Sequence, residues 1–251
     1  MPNVSFCEDT PNEVHYNPYE EPFFCKLTLN DDSVVNIEGS GELTSPMTEQ
    51  YRGTCVSAEI GELCTSLNGC FYSFPNLESL TIPRSVSGIT SLGAPTIIAG
   101  CTKLEEITFN ASCPIPSGFC NSHSGLPNVK KVVIGDGVTS IGSGAFQDCT
   151  SLSSVRIGSG VTSIGSTAFA GCSGLTKIEI PNTITSIDGG AFQGCTSLSS
   201  VTVEATTPPT LESNAFEYTN NCPIYVPSGS VEVYKTTSGW SAYASRIQAI
   251  Q

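Results

Sequence analysis

Basic residues are few in this chain. Ten Lys and Arg stand against 23 Asp and Glu, for a formal net charge of −13. Nucleic acid held through its phosphates needs a basic stripe, so that partner class is set aside. Charged residues of both signs reach only 13%, about half the usual share, while 24 Gly and 16 Pro demand frequent tight turns. A helical bundle or coiled coil is therefore excluded. No run of about 18 apolar residues exists, which excludes insertion in a membrane as an apolar helix. The start, Met1-Pro2-Asn3-Val4, has no basic region followed by an apolar one. Either a leader has been removed or the protein is made without one. Histidine is limited to His15 and His123, in separate irregular segments, so no acid–base pair is suggested. Nucleophile elbow, phosphate loop and metalloprotease helix motifs are missing. Neither an enzyme nor a cofactor is expected. Cys120-x-x-His123, with Cys113 upstream, is the one metal-like spacing. Zinc there would need a closed tetrahedral shell, with Cys101 as fourth ligand, and an irregular loop with an exposed His is the favoured reading, with no metal.

What the chain does have is enough apolar material for a core, 39% of its residues, and a repeat. Ile141-Gly142-Ser143-Gly144-Ala145-Phe146 recurs as Ile164-Gly165-Ser166-Thr167-Ala168-Phe169 and as Ile187-Asp188-Gly189-Gly190-Ala191-Phe192, each 23 residues on. A cysteine follows each (Cys149, Cys172, Cys195), then a leucine (Leu152, Leu175, Leu198), then Val155-x-Ile157, Ile178-x-Ile180 and Val201-x-Val203. Phases at 74, 101, 126, 149, 172 and 195 extend the frame backwards with steps of 27, 25, 23, 23 and 23. A degraded unit around Ala58, Ile60, Leu67 and Phe71 precedes them, and Ala215-Phe216 with Cys222 marks the last trace.

Stacking explains such a pattern. V-x-I has the period of two that turns both side chains to one face of a short strand. So short a strand is not stable alone, but laid parallel at about 4.8 Å its neighbours turn Leu, Val, Ile and Phe into continuous apolar columns. The expected fold is an α/β-type repeat solenoid. It is a leucine-rich-repeat horseshoe of six to seven coils of about 23 residues, with one parallel sheet, helical turns at A-F-x-x-C on the opposite side, and a cap at each end.

The stretch Val161-Thr-Ser-Ile164-Gly-Ser-Thr-Ala168-Phe169-Ala-Gly-Cys172-Ser-Gly-Leu175-Thr-Lys-Ile178-Glu-Ile180-Pro181 and its two neighbours closely resemble the BspA-type leucine-rich repeat. That family occurs in surface proteins of oral and gut anaerobes, in protist proteins and in some phage-encoded ones. The resemblance covers about residues 56–226, with departures at 83–125, where longer proline-bearing connections replace the regular turn. It implies a right-handed solenoid that binds macromolecules, often in adhesion or aggregation, and implies no single ligand.

Residues 1–24 read as an acidic tail and 25–55 as an N-terminal cap, with Leu27-x-Leu29 and Val35-x-Ile37 as strands. Residues 56–226 are the array and 227–251 a C-terminal cap. In that cap Ser230 would start a short helix bearing Val231 and Tyr234, under a lid of Trp240, Tyr243 and Ile247. Cys101, Cys149, Cys172 and Cys195 share one repeat position, so they read as a buried ladder of free thiols. Cys64 and Cys70 fall on other core positions. Cys7, Cys25, Cys55, Cys113, Cys120 and Cys222 lie outside the columns, where one or two bridges can form if the protein is exported.

If Val155 and Ile157 face inwards, their neighbours face outwards and define two exposed lanes. One runs Ser79, Glu106, Lys131, Ser154, Lys177, Ser200, the other Thr81, Thr108, Val133, Arg156, Glu179, Thr202. Lys130, Lys131, Arg156 and Lys177 gather there on an otherwise acidic protein. Glu106, Thr108, Lys130, Lys131, Val133, Ser154, Arg156, Lys177 and Glu179 are the candidate binding residues, for a protein or glycan on a cell or matrix surface. Such a module would be extracellular or cell-surface. The alternative is a structural or receptor-recognising component of a phage particle.

Overall fold

The structure is a computed structural model, and it describes residues 4–6, 13–16, 24–29, 34–44, 48, 53–61, 64–68, 70–90, 98–120 and 128–251. The chain begins with β1 (Val4–Phe6), β2 (Glu13–Tyr16), β3 (Phe24–Leu29) and β4 (Val34–Thr44), each antiparallel to the one before. Part of the segment expected as an acidic tail is thus strand. Strand β4 then switches the ladder to parallel, because two later strands lie along its halves: β5 (Ser57–Ile60) and β6 (Cys64–Asn68).

From there the coils stack. Strands β7 (Ser79–Ile82), β8 (Gly88–Thr90), β9 (Glu106–Phe109), β10 (Lys131–Ile134), β11 (Ser140–Ile141), β12 (Ser154–Arg156) and β13 (Ser163–Ile164) follow. After them come β14 (Lys177–Ile180), β15 (Ser186–Ile187), β16 (Ser200–Val203), β17 (Thr210–Leu211), β18 (Ile224–Val226) and β19 (Ile247–Ala249). The V-x-I strands pair in parallel and in register, with Val132 between Ile107 and Val155, and Val201 between Ile178 and Ile224. Their apolar residues are buried, Ile107, Val132, Ile178 and Val201 at 1% exposure or less. Counted by these strands, β5 to β18, the array has eight coils. The six or seven expected from the repeat leave out the last unit, whose strand is β18.

Two details differ from the expected horseshoe. A second parallel ladder, β11-β13-β15-β17, runs along another face, built on Ser140-Ile141 and its equivalents. Its strands have only two residues, one serine or threonine out and one isoleucine or leucine in, too short to show as alternation in a sequence. The A-F-x-x-C stretch is also no helix. It is a run of turns whose amides alternate between cross-coil bonds, Phe146 N–H to Ala168 O (2.7 Å), Phe169 N–H to Ala191 O (2.8 Å) and Phe192 N–H to Ala215 O (2.8 Å), and local turn bonds such as Gln147 N–H to Gly144 O (3.2 Å) and Cys149 N–H to Phe146 O (3.3 Å). Positive φ at Gly144 (61°), Thr167 (53°) and Gly190 (66°) turns the chain out of the right-handed helical path just before each Ala-Phe.

The core consists of columns. Phe146, Phe169, Phe192 and Phe216 stack with ring centroids 5.3, 5.4 and 5.3 Å apart and interplanar angles of 11°, 5° and 2°. Each ring is buried, a gain of about 1.5–3 kcal/mol per side chain with a further contribution from the ring contact. Hydroxyls tie the outside of the same coils together: Thr162 Oγ1 donates to Thr139 O (3.2 Å) and Thr185 Oγ1 to Thr162 O (3.0 Å).

At the C-terminal end the open coil is closed by aromatic side chains with polar handles. Trp240 and Tyr234 are fully buried, meet edge to face (centroids 4.9 Å), and spend their polar atoms on the last coil. Trp240 Nε1–H donates to Pro209 O (2.7 Å) and Tyr234 Oη–H to Ala205 O (2.7 Å). Arg246 donates from Nε to Cys222 O (2.8 Å), from Nη1 to Phe216 O (3.3 Å) and from Nη2 to Thr219 Oγ1 (2.9 Å). Ser230 does not cap the helix Val231–Thr236 with its side chain; its Oγ donates instead to Thr206 O (2.7 Å).

Thr167 occupies in left-handed backbone the position that Gly144 and Gly190 fill in neighbouring coils. The Cβ penalty there is about 1–2 kcal/mol, offset in part by the entropy a glycine would lose. Thr167→Gly is expected to raise stability by about 0.5–1 kcal/mol and Gly190→Ala to lower it by about 1 kcal/mol, read as opposite shifts of the urea midpoint. Tyr234→Phe leaves the Ala205 carbonyl without its buried donor and is expected to cost about 1–3 kcal/mol, measured by thermal unfolding.

Candidate functional site

The outward positions of the V-x-I ladder form the most extended ordered surface that carries chemistry. Register sets which side chains become neighbours. Lys131 lies beside Glu106 on one side and Ser154 on the other, Val133 lies between Thr108 and Arg156, and Glu179 lies beside Thr202. Lys130, Lys131, Ser154, Arg156, Lys177 and Glu179 are exposed, and Glu106, Thr108 and Val133 are half-buried. The alternation in the sequence therefore places all nine candidate residues on the surface, in the order expected. Between β12 and β14 the backbone ladder is interrupted, and the two lanes cross that seam from the Arg156 row to the Lys177 row.

The four basic residues do not form one patch of unpaired charge. Lys130 Nζ meets Glu105 Oε1 at 2.6 Å and Lys131 Nζ meets Glu106 Oε1 at 2.7 Å, each pair joining adjacent coils. These are exposed pairs, each contributing about 0–1 kcal/mol, but they cancel the charge that the lysines would show a partner. Their acids were visible in the sequence; which acid faces which lysine depends on a step of 25 residues between coils. Arg156 and Lys177 carry no ion pair among the described residues and hold the net positive charge of this face.

Sequence alternation missed a second polar row, just past the ends of the strands. Asp136 Oδ1 accepts the Ser159 N–H at 2.8 Å. That bond is the main reason its carboxyl lies below the usual range, with smaller pulls from Arg156 and Arg84. Arg84, Asp136 and Ser159 hold the same position after the strand in their coils, so the repeat frame itself was the signal. Further along, Asn182, Glu204, Ala205, Thr206 and Thr207 line a shallow polar hollow of ≈ 230 Å³.

Thiols supply no reactive group here. Cys55, Cys64, Cys70, Cys101, Cys113, Cys120, Cys149, Cys172, Cys195 and Cys222 are all buried and unbridged. The regular ones donate across coils, Cys172 Sγ to Phe146 O (3.1 Å) and Cys195 Sγ to Phe169 O (3.2 Å). Burial pushes the Cys101 and Cys195 thiols up to about 12 and holds Cys172 well above its ordinary value, so the thiolate a nucleophile or metal needs is disfavoured. Placing Cys55, Cys120 and Cys222 outside the columns is corrected. Cys55, Cys120 and Cys222 are buried in the same core as the repeat residues, and Cys120 Sγ lies 3.2 Å from Cys149 Sγ. The four-residue zinc reading includes His123, which lies outside the described residues, as does Cys7, and nothing is described of the side chains of Cys25 and His15. Among the described residues no cluster of three or more His, Cys, Asp or Glu is arranged to hold a metal, and no helix is long and apolar enough to cross a membrane.

The family model described as "BspA type Leucine rich repeat region" matches in six copies over residues 65–126 and 120–237. No curated protein matches the sequence at a significant level. Among solved structures, the chain is similar to a leucine rich cell surface protein from Faecalibacterium prausnitzii, at 16% identity, with 93% of this chain and 99% of that one covered and a TM-score of 0.45. A leucine-rich repeat protein from Bacteroides ovatus matches at 21% identity over 79% of this chain and 61% of that one, with a TM-score of 0.43. The T. pallidum leucine rich repeat protein matches at 23% identity, over 80% and 77%, with a TM-score of 0.47. With the family model matching well over half of its residues, 65–126 and 120–237, the chain belongs to the BspA-type leucine-rich repeat family.

Proposed function

We propose that the protein is a non-enzymatic interaction module, secreted or displayed on a cell surface, that holds a protein or glycan partner on the outward lanes of its V-x-I ladder. The observation that carries this reading is the division of charge on that face. Lys130 and Lys131 are neutralised within the molecule, whereas Arg156 and Lys177 stand exposed without an ion pair among the described residues. Around them lie hydrogen-bonding side chains, Thr108 and Ser154 on one side of the β12–β14 seam and Glu179, Ser200 and Thr202 on the other, each set spaced by its own ladder. A face held rigid by coil stacking loses little conformational freedom on binding, so modest contacts convert to affinity. The array, residues 56–226, would be the binding part, with 25–55 and 227–251 closing its ends and 1–24 preceding it. Membership of a family of leucine-rich surface proteins supports an interaction role.

Purified wild type and an Arg156→Ala/Lys177→Ala variant, screened against glycan arrays and matrix proteins, test it. Wild type is expected to bind at least one partner that the variant holds at least tenfold more weakly, while Lys130→Ala stays within about twofold because its charge is already spent on Glu105. Equal binding by wild type and the double variant would move recognition off the lanes.

A further inference from the structure

Cys120 does not hold the same place as the repeat cysteines. Its N–H donates to Ala145 O (2.5 Å), as the Phe146 N–H donates to Ala168 O, and Gly118 N–H to Ser143 O (2.8 Å) matches Gly144 N–H to Ser166 O (2.8 Å). Gly118 also shares the positive φ of Gly144, 66° against 61°. In its own coil Cys120 therefore stands where later coils carry phenylalanine. The consequence shows at Cys149. Cys172 and Cys195 each donate to a phenylalanine carbonyl one coil back, but Cys149 Sγ donates to Cys120 O at 2.9 Å. A small side chain at the aromatic position lets the two sulfurs meet, Sγ to Sγ at 3.2 Å, fully enclosed in the core. It is the one sulfur-to-sulfur contact among the described residues.

We propose that Cys120 and Cys149 form a disulfide site, closing into a covalent cross-link between consecutive coils when the chain folds in the presence of a small-molecule disulfide or a disulfide-exchange catalyst. The reaction balances by exchange. One protein thiol gives up its proton and attacks a sulfur of the oxidant, releasing that reagent's first thiolate and leaving a mixed disulfide. The second protein thiol, deprotonated in turn, attacks the protein sulfur of the mixed disulfide and releases the second thiolate. Two protein thiols become one disulfide, the reagent disulfide becomes two thiols, and the two protons lost by the protein are taken up by them. Order matters because of burial. In the unfolded chain both sulfurs are open to solvent and oxidant, whereas in the closed array the hydrogen bond with Cys149 and burial hold the Cys120 thiol well above its ordinary range. Exchange then belongs to the folding phase, and the finished bond is shielded from reductant by the same core. The repeat cysteines Cys172 and Cys195 have carbonyl partners instead of sulfur partners and stay reduced.

The test uses the full chain, unfolded in denaturant and reductant, refolded into a mixture of reduced and oxidised glutathione, and then unfolded in denaturant with iodoacetamide present, so that every free thiol is trapped. Lys130 and Lys131 lie between the two cysteines, so trypsin separates them. A non-reduced digest is expected to give one linked peptide joining Cys120 to Cys149, with Cys172 and Cys195 recovered alkylated. The urea midpoint should fall when wild type is refolded with reductant only, and should be the same with and without oxidant in Cys120→Ser. Recovery of Cys120 and Cys149 both alkylated from folded wild type would overturn the proposal, as would their linkage to other cysteines.

Discussion

Everything in this molecule depends on register between consecutive coils. A V-x-I strand of three or four residues has no stability of its own, and its side chains are buried only because the coils before and after present the same residues at the same height. Because 23 residues return the chain to its starting phase, Leu falls on Leu, Phe on Phe and Cys on Cys from Cys149 to Cys195. The stacked rings and the paired amides of the A-F turn are products of that period. So is the surface, because neighbours on the outward lanes are set by the same alignment that fills the core. Lys131 meets Glu106 for the same reason that Val132 meets Ile107.

Such a structure is stabilised between nearest neighbours, with no centre. Its weak points are therefore its ends and its irregular coils. The two ends are handled differently. At the start, an antiparallel set of strands leads into β4, whose two halves pair in parallel with β5, the first V-x-I strand, and with β6. At the finish, Trp240, Tyr234 and Arg246 satisfy carbonyls of the last coils and cover the final phenylalanine. The irregular coil before Cys149 is marked by a sulfur pair in place of an aromatic and a thiol.

The repeat was legible because its core positions are chemically simple. Period two found the V-x-I strands, their buried faces and the exposed lanes, and the recurring cysteine found the thiol column. What escaped was whatever lacks a period or a long enough signal. Two-residue strands such as Ser163-Ile164 show no alternation, so the second ladder was invisible. The A-F-x-x-C stretch reads as a helical turn because a glycine in two coils and a threonine in the third hide the left-handed position that precedes it. Cys120 was set outside the columns because its coil is out of step in sequence, and backbone pairing alone places it at the aromatic position. The ion pairs of Lys130 and Lys131 needed the offset between two unequal coils.

The central claim is that phase, and not any one contact, specifies the fold, and deletion tests it most directly. Removing residues 150–172 takes out one whole period of 23 and joins Cys149 to Ser173-Gly174-Leu175, restoring C-x-x-L; removing 156–177 takes out 22 and joins Val155 to Ile178 inside a strand, where no connection can absorb the offset and one of two adjacent apolar residues must face outwards. Far-ultraviolet circular dichroism with urea unfolding should show the first variant folded, with a parallel-sheet spectrum and a cooperative transition. The second should lose both. A 22-residue deletion as well folded as the 23-residue one would contradict the account.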